Sequence, residues 1–345
     1  MPQTKSSISV VNFNAWIAAA FRACGVPSKD AQLTAEALTT ADVEGVGSHG
    51  VMLLPMYVER LQAGSVNSEP KFSIFEDYPS LTRLDADRAL GQVSSTFAVQ
   101  LATERAQKYG TSIIAVKNAF HFGAAAFWSR KIAESNMIGI AMSNTRPLMP
   151  APGGAERVIG NNPVSFAFPS DDGQTLVVDM ATSSSAMGKI RNAERRGEDI
   201  PEGWATDKNG RPTISATEAI SGMLLPAAGP KGFGLAVAID LLCGGLSGGA
   251  APDEVKPLYG PPNQNYDCSH FFLAIAVETP FSRRVGALAE RIRTSTKVEG
   301  TPKIYAPGDL EREHKAALNG SLEVELSLKE QLDKLAEKLG IPKLT

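Results

Sequence analysis

Cysteine is scarce in this chain, with Cys24, Cys243 and Cys268 the only three among 345 residues. They are odd in number and lack CxxC spacing, which excludes a disulfide framework and a cysteine-rich zinc site; buried free thiols in a reducing cytoplasm are the reading. Histidine is almost as rare, at four. No HxxxH pair occurs, His270 and His314 stand far from His49 and His121, and carboxylates do not gather around them, so no metal centre is expected. No apolar run approaches the roughly 18 residues that a spanning helix needs. The opening "MPQTKSSISV" has one lysine and no apolar segment behind it, so neither a leader nor a membrane partner is expected and the cytoplasm is the assigned location. Charge of one sign is nowhere concentrated: 34 basic and 37 acidic side chains leave a net charge of -3, without a block of about five like charges to track a phosphate backbone, so nucleic acid is excluded as a partner. Also missing are GxGxxG, GxxxxGK[ST] and GxSxG, and with them the main support for Rossmann, P-loop and serine-hydrolase readings.

What is present reads as a globular α/β chain long enough for two domains or one subdivided one. "VVNFNAWIAAAFRACGVP" sets Val10, Phe13, Ile17 and Phe21 at helical spacing before Gly25 and Pro27, and Ser28 reads as the cap of a second helix. The turn "VEGVGSHG" leaves Ser48 and His49 in a loop before a third helix, "LPMYVERLQAG", in which Pro55 suits the first turn and Gly64 the end. From about Leu81 the period changes. "GQVSSTFAVQLATERAQKYG" is an amphipathic helix closed by Gly110, while "TSIIAVKN", "MIGIAMSN", "VSFAFPS", "TLVVDMATS" and "HFFLAIAVE" have strand character. "GPKGFGLAVAIDLLCGGLSGG" reads as a turn feeding a buried helix, residues 188–221 as a long covering loop, and the last helix carries Leu328, Leu332, Leu335 and Leu339 on one stripe.

Four positions suggest chemistry. His121, in "HFGAAAFWS", follows a strand and precedes a helix, where ligands collect in α/β proteins and an imidazole can exchange a proton near neutral pH; capping that helix is an equally good use for it. His49 lies between glycines in "GSHG", beside Ser48, and adjacent side chains such as these are expected to diverge. A surface turn is the blander account of His49. Asp179 ends "TLVVD", either facing a ligand or capping the next turn, and Lys231 in "GPKGFG" stands at a helix N-terminus with anion-binding geometry.

Seven ordered stretches, "SHGV", "LGQVSS", "HFGAAAFW", "GNNPVSFAFP", "DMATS", "PKGFGLA" and "PGDLERE", run from Ser48 to Glu313. Together they resemble the malate/L-lactate dehydrogenase type 2 family of NAD(P)-dependent oxidoreductases, which includes ureidoglycolate, sulfolactate and diketogulonate enzymes and cyclic ketimine-carboxylate reductases. The resemblance implies an α/β, non-Rossmann dinucleotide-binding fold with a mixed sheet (111–284), a mainly helical part (1–110 with 285–345), a homodimer, NAD or NADP as cofactor, and a small carboxylate as substrate. It implies His121 as principal acid/base with His49 as partner and Asp179 able to stabilise the charged imidazole, and it sets Ser48, Arg146 and Tyr57 on the substrate side. Ser143, Asn144, Asp179, Met180, Ala181, Thr182, Ser183, Lys231, Gly232, Pro307, Gly308 and Asp309 are implied to face the cofactor. Two departures stand out. Leu53 occupies the position where the family usually places an arginine to fork a substrate carboxylate, which either departs from the usual 2-oxo acid substrates or moves that task to another cation, Arg146 first or else Lys231. Pro230 stands where histidine commonly precedes the lysine. Two function classes follow: a reductase or dehydrogenase of a small 2-oxo, 2-hydroxy or cyclic imine acid, and a non-catalytic dinucleotide-binding relative.

Overall fold

The computed structural model describes residues 5–345; the first four residues of the stretch read for a leader lie outside the described residues. Strand β1 (Lys5–Ser9) leads into α1 (Val10–Ala23), whose first turn is capped by Ser9 Oγ accepting the Asn12 N–H at 3.3 Å. Phe13, Ile17 and Phe21 form its buried stripe, as their spacing requires. Helix α2 (Ser28–Val43) starts at Ser28 itself, with Pro27 in the capping position and no side-chain cap. The expectation for Ser28 is thereby corrected: the ring of Pro27 fixes the backbone that turns into the helix, and no hydroxyl is used. Two 3-10 turns, Gly47–His49 and Val51–Leu53, then feed α3 (Leu54–Gln62), with Pro55 in its first turn and Gly64 left-handed beyond its end.

The sheet is built from β2 (Ser73–Tyr78), β3 (Leu81–Asp85), β4 (Thr111–Ala119), β5 (Met137–Ser143), β6 (Val164–Phe168), β7 (Leu176–Met180) and β11 (Cys268–Ala276), in the order β2-β3-β4-β11-β5-β6-β7. Only β3 and β4 are parallel; the remaining neighbours are antiparallel. That is a mixed sheet and not the parallel array of a Rossmann fold. Helices α4 (Gly91–Tyr109) and α5 (Ala125–Ala133) pack on it, so β4 and β11 are nearly continuous apolar runs. Two of the seven strands come from the segment expected to be mainly helical. The buried core also crosses that boundary, joining Phe13, Tyr57, Phe120, Phe272 and Leu332.

Residues 188–221 are not a loop. They hold most of α6 (Met187–Arg196), the short strands β8 (Ala205–Thr206) and β9 (Pro212–Thr213), and α7 (Ala216–Ser221); β10 (Met223–Leu224) completes a small sheet of order β10-β8-β9. Helix α6 buries only Ile190 and Ala193, so there was almost no apolar period to read. Helix α8 (Pro230–Asp240) runs into a π-helical turn, Leu241–Gly245. It buries Gly232, Ala236 and Ile239 but leaves Leu235, Leu241 and Leu242 exposed, so the expectation of a wholly buried helix fails on one side. Helices α9 (Thr279–Arg293) and α10 (Asp309–Ala317) follow, and strand β12 (Ser321–Glu325) pairs antiparallel with β1 before α11 (Leu326–Leu339), whose Leu332 and Leu335 are buried. Cys243 and Cys268 are buried free thiols, whereas Cys24 is half-buried. Among the described residues no helix is long and apolar enough to cross a membrane.

Candidate active site

Strand β4 ends at Ala119, and Phe120 and Phe122 bury their rings on either side of His121, leaving its imidazole half-buried before α5. The 3-10 turn at Gly47–His49 brings His49 against it: the two rings stack with centroids 5.7 Å apart and planes 14° from parallel. Asp42 Oδ2 fixes that turn by accepting the Val51 N–H at 2.7 Å, and Gly50 is required beside it because a Cβ would lie 2.1 Å from Asp42 Oδ1. Ser48 Oγ lies 3.0 Å from His49 Nδ1. The adjacent side chains expected to diverge therefore converge, because the tight turn winds them together. Tyr57 Oη lies 2.8 Å from His121 Nδ1, and Gln92 Nε2 lies 3.1 Å from Tyr57 Oη. Tyr57 is fully buried, so the hydroxyl placed on the substrate side by resemblance is engaged with His121 instead. Gln92 escaped sequence reading; its one signal was a polar residue on the buried side of α4.

Burial, then the neighbouring His49 and His270, push His121 down to about 3; burial alone pushes His270 to about 3 and lowers His49. His270 is fully buried, stacked 4.3 Å from Phe122 with Nε2 3.3 Å from Cys268 Sγ. Asp42 is pushed up to about 7 by burial, against the opposing pull of the Val51 amide.

A cavity of about 320 Å³ brings Asp179 together with Pro307 and Gly308, and adds Glu44, Arg130, Tyr305 and Glu311, which sequence reading missed. Arg130 is held on both carboxylate oxygens of Glu44, at 2.6 and 2.8 Å. Desolvation, with Glu311 adding to it, raises the Asp179 carboxyl to about 6 against the Ala126 amide. Among the described residues no hydrogen bond joins Asp179 to His49 or His121, which corrects its expected role of stabilising the charged imidazole. Asp309 does not face the cavity either. Its carboxylate takes Arg293 Nε and Nη2 at 2.9 Å each, Arg312 Nη2, and the Ala306 N–H at 2.8 Å, which holds it well below the usual range and clamps the Pro307–Gly308 turn.

Met180 and Ala181 reach the surface, while Thr182 and Ser183 are buried. The Ser183 hydroxyl donates to Ser185 O, whereas the Thr182 hydroxyl has no protein partner. Gly232 N–H donates to Ala227 O, whose residue in turn donates to Thr182 O, so the first turn of α8 sits against Thr182 with Lys231 exposed beside it. An orphaned hydroxyl, a lysine and a helix N-terminus fit a phosphate, and the acid-lined cavity fits sugar hydroxyls, so these residues suit a dinucleotide. Ser143 and Asn144 do not belong to that surface. Asn144 is fully buried and its amide is used on Ser269 N–H and Ala250 O, which ties the end of β5 to β11 and the segment before it, while Ser143 Oγ donates locally to Asn144 O.

Leu53 is buried in the core. Arg146 is half-buried near Tyr266, Arg157 and Arg191, and its guanidinium has no hydrogen bond or ion pair among the described residues. Tyr266 packs edge-on against Phe120 at 5.6 Å and feels the charge of Arg146. Among the described residues no three His, Cys, Asp or Glu side chains gather as a metal site.

Residues 8–333 match the malate/L-lactate dehydrogenase family. The chain is 37% identical over 324 residues to the L-sulfolactate dehydrogenase of Methanocaldococcus jannaschii, covering 92% of each, and the solved structure of sulfolactate dehydrogenase from that organism superposes with a TM-score of 0.91 over 97% of this chain and 98% of that one. The NAD(+) ureidoglycolate dehydrogenase of Escherichia coli K12 is 33% identical over 303 residues, covering 86% of each. A delta1-piperideine-2-carboxylate reductase structure from Pseudomonas syringae has a TM-score of 0.86 at 26% identity, covering 96% of this chain and all of that one.

The raised carboxyl of Asp42 makes a stability prediction. A folded value of about 7 against the ordinary 3.8 of an aspartate means that its contribution is intact below the unfolded value and is lost as pH rises through the folded one. Asp42→Asn keeps an acceptor for Val51 and cannot ionise. Its melting temperature relative to wild type is expected to rise from about pH 4 to about pH 8; a difference that stays constant would show that the carboxyl is not perturbed.

Proposed function

The chain belongs to the malate/L-lactate dehydrogenase family, and on that premise we propose that it moves a hydride between NAD or NADP and the C2 carbon of a small 2-hydroxy or 2-oxo acid, with His49 and His121 handling the proton at the C2 oxygen. The observation that carries this reading is the stacked, uncharged imidazole pair just beyond the end of β4. The nicotinamide, when bound, supplies or accepts the hydride. This chain's residues do the rest. The imidazole pair exchanges the proton that the oxygen gains or loses, and a bound carboxylate next to it raises its affinity for that proton. Arg146 holds the carboxylate in place of the arginine absent at Leu53, and Lys231 with Thr182 and the first turn of α8 holds the diphosphate. The likeness to a delta1-piperideine-2-carboxylate reductase supports a second reading, reduction of a cyclic imine acid, which needs the same proton and the same cation.

The test is absorbance change with NADH and NADPH on pyruvate, oxaloacetate and a cyclic ketimine carboxylate, and in reverse on malate and 3-sulfolactate. Replacement of either histidine by alanine is expected to cut kcat by ~100-fold or more with cofactor binding kept; no turnover on any acid would end the reading. Arg146→Ala is expected to raise KM for the acid by ~10-fold or more, the scale of a lost charged hydrogen bond. An unchanged KM would move the carboxylate elsewhere.

The cavity also has a bearing on the choice of cofactor. Asp179 and Glu311 line it, and the guanidinium of Arg130 is already committed to Glu44, so a ribose hydroxyl is accommodated and a 2′-phosphate is repelled. NADH is expected to bind ~10-fold or more tighter than NADPH, a repulsion of order 1.4 kcal/mol, and Asp179→Asn to narrow the ratio; preference for NADPH would contradict this placement.

The exposed Leu235, Leu241 and Leu242 support a homodimer with this face in the contact. Sedimentation is expected to give a dimer that Leu242→Asp weakens, and a monomeric wild type would refute it. Three free thiols and a diffusible cofactor fit a cytoplasmic enzyme, which cell fractionation checks.

A further inference from the structure

We propose that Gln92 and Tyr57 are positioning residues that fix the tautomer of His121, holding its neutral ring with the proton on Nε2 so that it meets the substrate as a hydrogen-bond donor. The proposal rests on the reading of His49 and His121 as the pair that handles the substrate oxygen.

The direction of each hydrogen bond follows from one donor that has no choice. The backbone N–H of Gly123 points at His121 Nδ1 at 3.4 Å, and a backbone N–H can only donate, so Nδ1 must carry a lone pair. The other contact of Nδ1 is Tyr57 Oη at 2.8 Å, which therefore donates its single hydrogen there in preference to the His121 carbonyl at 3.2 Å. With that hydrogen spent, Tyr57 Oη can accept, and Gln92 Nε2 donates to it at 3.1 Å. The opposite amide orientation would set a carbonyl oxygen against Tyr57 Oη and draw its hydrogen away from Nδ1. Gln92 to Tyr57 to His121 is thus one chain of donors, and in a neutral imidazole it leaves the proton on Nε2.

The surroundings are built for this contact. Gly91 lets the start of α4 press against the backbone of His121, since a Cβ there would lie 2.2 Å from Phe120 O and 2.5 Å from His121 O. Gln92 and Tyr57 are both fully buried, and Gln92 Oε1 has no protein partner. A buried amide satisfied on one side only is costly to keep, and its one use among the described residues is the Tyr57 contact. The consequence reverses the expected division of labour between the histidines. A neutral His121 with Nε2 already protonated cannot take the proton that a hydroxy acid releases, so exchange falls to His49, whose Nδ1 meets only the Ser48 hydroxyl.

Nitrogen-15 NMR of the labelled whole protein reads the tautomer directly. With four histidines in the chain, His121 is assigned by single variants such as His270→Gln and His314→Gln. The wild type is expected to show an unprotonated Nδ1 and a protonated Nε2 for His121; the reverse pattern overturns the proposal without any variant. Gln92→Glu puts an acceptor where the donor was and is expected to shift the proton to Nδ1, while Tyr57→Phe and Gln92→Leu are expected to give mixed tautomers. In each of these, kcat falls by about 10-fold or more and its pH profile shifts, with cofactor affinity unchanged, as when an orienting partner of a histidine is removed. Folded variants with a lowered melting temperature but the wild-type tautomer and pH profile would show that Gln92 is only a packing residue. Because the tautomer is read without turnover, failure of the relay and failure of the dehydrogenase reading give different results.

Discussion

The arrangement depends on the antiparallel insertion of β11 between β4 and β5. β11 pairs with β4 from Cys268 opposite Ala119 to Ile275 opposite Thr111, and with β5 from His270 opposite Ser143 to Ala276 opposite Met137. This register buries Cys268 and His270 beneath the end of β4 and lets Phe122 stack on His270, which fixes the backbone on both sides of His121. It also explains why Asn144 is structural: the amide of Ser269 at the start of β11 needs its side-chain oxygen. A strand that is apolar on both faces can occupy such a central position because helices cover the sheet, and burial of its backbone leaves every ladder hydrogen bond obligatory.

On that scaffold the charges are sorted by region. Among the described residues no carboxylate pairs with either imidazole, and burial keeps the rings neutral. Carboxylates collect instead in the cavity at the start of α5, where Glu44 occupies Arg130 and leaves Asp179 and Glu311 unneutralised. Unpaired cations, Arg146 and Lys231, stand elsewhere.

Much of this was legible in the chain. Helices α1, α4 and α11 announced themselves through apolar stripes and glycine ends, and β4, β5 and β11 through β-branched and aromatic runs. Helix α6 was not, because a helix that buries two side chains carries almost no periodic signal. Asn144 and Asp309 looked like ligand residues from their motifs, yet each spends its polar atoms on the protein; a motif identifies a position, and only contacts show which way its side chain is used. Gln92 lies inside the stretch "LGQVSS" and on the buried side of its helix, yet its use could not be read, since its partner Tyr57 is 35 residues away in the chain.

By itself the sequence determined the family and the mixed α/β class without a Rossmann loop, because ordered motifs and hydrophobic period are properties of neighbours along the chain. Tertiary structure decided what sequence distance hides: that His49 and His121 stack, that Tyr57 reaches the His121 imidazole and Gln92 reaches Tyr57 in turn, each from a different helix, and that Asp179 belongs to a cavity shared with Glu44 and Glu311. Those facts arise from contacts between segments tens to hundreds of residues apart, whose geometry is set only when the core closes around them.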